Sequence, residues 1–210
     1  TAEFLRRVRF EARLELTDDM RAVIAVQACL PVLELGLPAY HGLKTVVVVP
    51  AEFTQDMEEV DEAGVVHEWR EELAGEAWDR GPLVVSWEDV EASGWGDGYN
   101  VVIHEAAHRL DMSDGALNGR PALHRDMSVA EWQQVFSAAY RALRAGRAGR
   151  ASGRGRRSAI DPYAGESDAE FFAVASEHFF ETPQALRPEF PDVYRLLALY
   201  YRQDPAARRK

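Results

Sequence analysis

Two histidines four residues apart, set inside an apolar run, restrict this chain more than any other feature of it. They are His104 and His108, within residues 100–112 (NVVIHEAAHRLDM). The neighbouring Val101, Val102, Ile103, Ala106, Ala107 and Leu110 favour a buried helix, on which positions four apart differ by about 40° in azimuth. Both imidazoles therefore enter one space. Burying them together with a carboxylate is costly unless they share a partner, and one Zn²⁺ ion per chain supplies it. Glu105, beside the first histidine, is placed to act on water and not on the metal. Zinc brings the pKa of water down to about 7, so a carboxylate can take its proton at neutral pH and the resulting hydroxide can attack a peptide carbonyl.

A catalytic zinc site keeps three protein ligands and one open position, so a third ligand is required. Residues 168–181 (DAEFFAVASEHFFE) offer it. Ser167 or Asp168 can cap a helix there, with Phe171, Val174, Ala175, His178 and Phe179 on its buried face. Glu170 and Glu177 are seven apart and project from nearly the same side. Glu170 is the reading adopted, with Glu177 and His178 as alternatives.

The rest of the chain reads as an α+β fold with a small mixed sheet. Helices are expected over 2–16 and over 18–30, the second capped by Thr17, and a central strand over 45–49, where β-branched residues run together. Residues 52–79 carry eleven acidic side chains around expected strands at 65–69 and 73–78, as a solvated surface or an attraction for a cationic peptide. A strand at 83–87 is read either as a sheet edge that holds an extended substrate or as a core strand. Gly94, Gly96 and Gly98 form an approach to the histidine helix. Residues 113–121 read as a loop, 128–143 as a helix with Ser128 as cap, and 183–205 as a turn followed by a last helix. The Arg- and Gly-rich stretch 144–158 reads as a flexible connection.

With 210 residues, 47% of them hydrophobic, the chain can bury one core, and a single domain over 1–210 is expected. A formal net charge of −11 disfavours nucleic acid and anionic membranes as partners. No run is long enough for a transmembrane helix, residues 1–16 do not resemble a signal peptide, and the cytoplasm is the expected location. Cys29 is the only cysteine and reads as a packing residue.

The chain resembles the Mlc titration factor A family of bacterial zinc metallopeptidases. The resemblance rests on IAVQACLPVLELGLPAYHGLKTVVVVP, GPLVVSWEDV, HEAAHRLDM, IDPYAGESDAEFFAVASEHFF and FPDVYRLLALYYRQDP, in that order. It implies a zincin-like, gluzincin-type fold similar to the catalytic domain of anthrax lethal factor. It also implies zinc ligands at His104, His108 and Glu170, and a catalytic glutamate at Glu105. Tyr163, seven residues before Glu170, matches a tyrosine that faces the metal in those relatives, where a phenol can donate to the oxyanion or the leaving amine. Asp111 can orient a ligand imidazole, cap the helix or bind the following loop. The implied activity is that of an aminopeptidase on short peptides, although the Gly-x-Met-Glu-Asn motif of many aminopeptidases is absent. The family's namesake binds the glucose repressor Mlc, so a regulatory protein that sequesters a transcriptional repressor is the second expectation. The stretch 144–158 departs from the family pattern.

Overall fold

The computed structural model describes residues 1–51, 81–151 and 158–207. The strands expected at 65–69 and 73–78, with the acidic segment around them, lie outside the described residues. The described strands β1 (Arg9–Ala12), β2 (Thr45–Val49) and β3 (Leu83–Ser86) form one sheet in the order β1-β2-β3. Both pairings are parallel, with Val46 opposite Phe10 on one side and Leu83 on the other. The expected mixed sheet is thus parallel throughout its described part. β2 is central because Val46, Val47, Val48 and Val49 are buried on both faces, and a continuous β-branched run suits a strand covered from both sides.

The helix expected over 2–16 is only α1 (Ala2–Arg7). Val8 turns extended, and β1 then lies along β2, extended at its ends by bonds from Arg9 N to Lys44 O (2.8 Å) and Arg13 N to Val48 O (3.2 Å). Residues 9–12 have no strong local preference, and the unpaired edge of β2 decides their conformation. Helix α2 (Asp18–Cys29) begins as expected, with Thr17 Oγ1 accepting from Met20 N at 3.2 Å, and buries Ile24, Ala25 and Ala28. Trp87, expected as the end of a strand, instead opens α3 (Trp87–Ala92), because Ser86 accepts from Asp89 N and caps a helix at that point.

Two helices build the site and a third braces them. Helix α4 (Val101–Asp111) carries the two histidines and is capped by Asn100, whose Oδ1 accepts from Ile103 N at 3.0 Å. Helix α5 (Val129–Ala151) starts at Ser128 as expected but continues eight residues beyond Leu143; alanine and arginine in 144–151 favour the helix enough to offset Gly146 and Gly149. Helix α6 (Asp168–Glu181), capped by Ser167, is buried continuously from Phe171 to Phe179. The last part of the chain is two helices instead of one, α7 (Pro183–Glu189) and α8 (Pro191–Tyr201). Trp132 of α5 stacks on Phe136 at 4.1 Å and meets Phe172 of α6 and Tyr200 of α8, which locks these three helices together. Among the described residues no helix is long and apolar enough to cross a membrane.

The loop between α4 and α5 turns on Gly119. Its N–H donates to Asp111 Oδ2 (2.7 Å) and its carbonyl accepts from Trp132 Nε1 (2.9 Å). Its φ is +75°, and a Cβ there would stand 2.3 Å from the Asp168 carbonyl oxygen at the start of α6. Gly119→Ala combines a left-handed backbone with a collision against backbone, so it is expected to destabilise the fold by about 2–4 kcal/mol. A urea titration measures this, and a loss below about 0.5 kcal/mol, the range of ordinary surface substitutions, would refute it.

Candidate metal centre

Helix α4 presents His104 and His108 on one side, as their spacing requires, and α6 brings Glu170 against them. The two Nε2 atoms lie 3.0 Å apart. Glu170 Oε2 is 3.1 Å from His104 Nε2, and its Oε1 is 3.3 Å from His108 Nε2. Among the described residues these three side chains form the group able to hold a metal ion, with their ligand atoms all within 4.8 Å of one another. A tetrahedron with arms of about 2.0 Å has edges of about 3.3 Å, so the spacing fits one small divalent cation. Two imidazole nitrogens facing each other beside a carboxylate also need a proton or a cation among them. Both Glu170 carboxylate oxygens are turned onto histidine Nε2 atoms, the donor set a divalent metal would take.

The alternatives on α6 separate clearly. Glu177 meets the other side of His104, with Oε1 2.8 Å from Nδ1, while its Oε2 accepts from Asn100 N at 2.6 Å. It therefore orients His104 and leaves Nε2 turned toward Glu170, a carboxylate–histidine pairing typical of metal sites. His178 points elsewhere, with Nδ1 2.7 Å from Thr182 Oγ1. Asp111 binds the loop through Gly119; burial pushes its carboxyl up to about 6 against the backbone donors of residues 118–120. Tyr163 lines the cleft beside the centre, its ring 6.1 Å from that of His104. Arg109, which sequence reasoning passed over, fastens α4 in place by donating to the carbonyls of Tyr40 (3.0 Å) and His41 (3.1 Å).

Charge at the centre follows from burial opposed by neighbours. Burial works against the His104 imidazolium, but Glu170 and Glu177 hold it up to about 10. Burial likewise raises Glu170, but its bonds to His104 and His108 bring it down to about 2. Glu105 is raised by burial, with the two histidines opposing. His104, Glu105 and Tyr163 open onto a cleft of about 620 Å³ whose walls also include Asp97, Gly98 and Asp161.

A His-Glu-x-x-His helix completed by a glutamate from a second helix marks the metallopeptidase class. The chain belongs to the family described as glucose-regulated metallo-peptidase M90, which matches residues 1–202. It is 41% identical over 212 residues to Mlc titration factor A of Pectobacterium atrosepticum, covering 99% of this chain and 78% of that protein. It is 38% identical over 216 residues to Mlc titration factor A of Klebsiella pneumoniae subsp. pneumoniae, covering 100% and 78%. An uncharacterized protein of Synechocystis is 40% identical over 193 residues, covering 90% and 68%. Family and geometry together support a divalent metal.

Proposed function

We propose that this protein is a zinc peptidase of zincin-like fold that removes residues from the amino end of short peptides. The convergence of His104, His108 and Glu170 beside the Glu105 cleft is the observation that carries this reading. All three would hold one zinc ion, which when bound supplies a Lewis acid for the scissile carbonyl and for water. Glu105 then accepts the proton of the attacking water and returns it to the leaving amine, a task suited to a carboxylate whose pKa burial has raised. The Tyr163 phenol, on the same cleft, donates to the oxyanion of the tetrahedral intermediate. Glu177 keeps His104 in the orientation that binding requires. The preference for an amino end is supported by Asp97 and Asp161 on the cleft wall, whose negative field favours a substrate ammonium.

Zinc content and hydrolysis of alanyl and leucyl chromogenic amides test the proposal. About one zinc per chain is expected, with hydrolysis lost on chelation and restored by added zinc. A chain that binds no zinc and gains no activity from it would overturn the enzyme reading. A second reading comes from the printed name of the Pectobacterium and Klebsiella relatives, which attributes titration of Mlc to those proteins. Carried to this chain, it makes the protein a partner of a transcriptional repressor. Equal binding of a purified Mlc-type repressor by wild type and Glu105→Gln would support it, and no binding by either would dismiss it.

A further inference from the structure

His178 is 4% exposed and lies on α6 one residue past Glu177, outside the metal-binding group. Its Nε2 accepts from the backbone N–H of Asp161 at 3.3 Å, so the ring is unprotonated there and its one proton sits on Nδ1, donated to Thr182 Oγ1. Burial holds its pKa below the ordinary value, with Asp161, Glu189 and Asp97 opposing, in keeping with a neutral ring. Gly98 rests against the same ring. At its φ of +105° a Cβ would stand 2.3 Å from His178 Cε1 and 2.6 Å from Nδ1. Gly98 and Asp161 belong to the two loop segments that line the cleft, so one imidazole touches both.

Both segments have ties besides this ring, and His178 is the one that meets the Asp161 amide. The 96–100 segment has other ties to α6: Gly96 N donates to Glu181 Oε2 (2.9 Å), Asn100 Nδ2 to Glu181 Oε1 (2.8 Å), and Asn100 N to Glu177. The other segment is tied at its start by Ser158 and Ala159 to Glu189 of α7, at Asp161 by His178, and beyond the tyrosine by Tyr140 Oη donating to the Gly165 carbonyl at 3.3 Å, with Ile160 and Ala164 buried. Asp161 Oδ1 in turn accepts from Tyr163 N at 2.7 Å and opens the single turn that carries the tyrosine. We infer that His178 is a positioning residue that sets Tyr163 beside the metal centre, by bonding the Asp161 amide while its ring packs on Gly98. The inference rests on the proposed role of Tyr163, but its geometric part can be read without catalysis.

The test uses the full zinc-loaded chain. His178→Phe keeps the ring and removes the acceptor, and His178→Gln restores an acceptor; each is made with Tyr163 and with Tyr163→Phe. Zinc content should stay at the wild-type level. Amide exchange in peptides covering 160–166 should rise by about fivefold or more in His178→Phe and return toward wild type in His178→Gln. In the Tyr163 background kcat should fall by about tenfold with KM nearly unchanged, since small misplacement of a catalytic group acts on the chemical step. In the Tyr163→Phe background that loss should shrink to about twofold or less, because the two residues act as one unit. An equal loss in both backgrounds, or unchanged exchange at 160–166, would overturn the inference. If the wild type hydrolyses nothing, the peptidase proposal fails while the exchange measurement still decides whether His178 holds the Tyr163 turn. If His178→Phe does not fold, Gly98→Ala displaces the same ring from its other face and must give the same local exchange and the same masking by Tyr163→Phe.

Discussion

Glu105→Gln is expected to lower kcat by about 10³-fold, within the range of a lost general base, while zinc stays at the wild-type level. Glutamine keeps the size and polarity of the side chain and can still hold a water by hydrogen bonding, but it cannot accept a proton at neutral pH. Glu105 is not in the metal-binding group and opens onto the cleft, so metal and catalysis should part company in this variant. KM should change little, because the interaction removed is made mainly in the transition state. Elemental analysis and steady-state hydrolysis on one preparation check this. A kcat within about tenfold of wild type with zinc bound would remove Glu105 as the base, since proton transfer by a positioned side chain contributes more than that.

What the sequence revealed was local. The caps at Thr17 and Ser128 were legible, and the third to within Ser167 or Asp168, because each bonds to a backbone N–H three residues on, and the β2 strand because its valines carry their own preference. β1 was hidden, since Arg9–Ala12 becomes a strand only through pairing with a segment more than thirty residues away. α5 runs past Leu143 to Ala151, although a Gly-, Ala- and Arg-rich stretch with little apolar surface to bury reads as a flexible connection. At the site, four-residue spacing alone sufficed to bring His104 and His108 together. The third position was harder. Glu170 and Glu177 share an azimuth on α6 but differ in height by about 10 Å, and only the placement of α6 against α4 decides which carboxylate meets Nε2 and which meets Nδ1. The part played by Glu177 had a signal in that seven-residue spacing, yet the spacing marks a shared face without saying which atom of a histidine lies opposite.

That division of labour makes Glu170→Ala the second large effect. Loss of this carboxylate should weaken zinc binding by more than about 100-fold, beyond the 10–100-fold typical of a partner that only orients a ligand, as expected for Glu177→Gln. Two causes add. Glu170 supplies the negative charge in the ligand set, and with its pKa down at about 2 it is ionised at any working pH. It also lies between two imidazoles whose Nε2 atoms are 3.0 Å apart; without it, no carboxylate remains in the ligand set to offset the charge of the dication they would share. The helix itself should survive, because it is the backbone N–H of residue 170, and not its side chain, that donates to the Ser167 cap. Competition with a chromogenic chelator gives the affinities, circular dichroism confirms the helices, and hydrolysis at saturating zinc reports whether a weakly held ion still works. If Glu170→Ala kept wild-type zinc affinity while Glu177→Gln lost it, the ligand would be Glu177, and the side of His104 that faces the metal would be Nδ1 instead of Nε2.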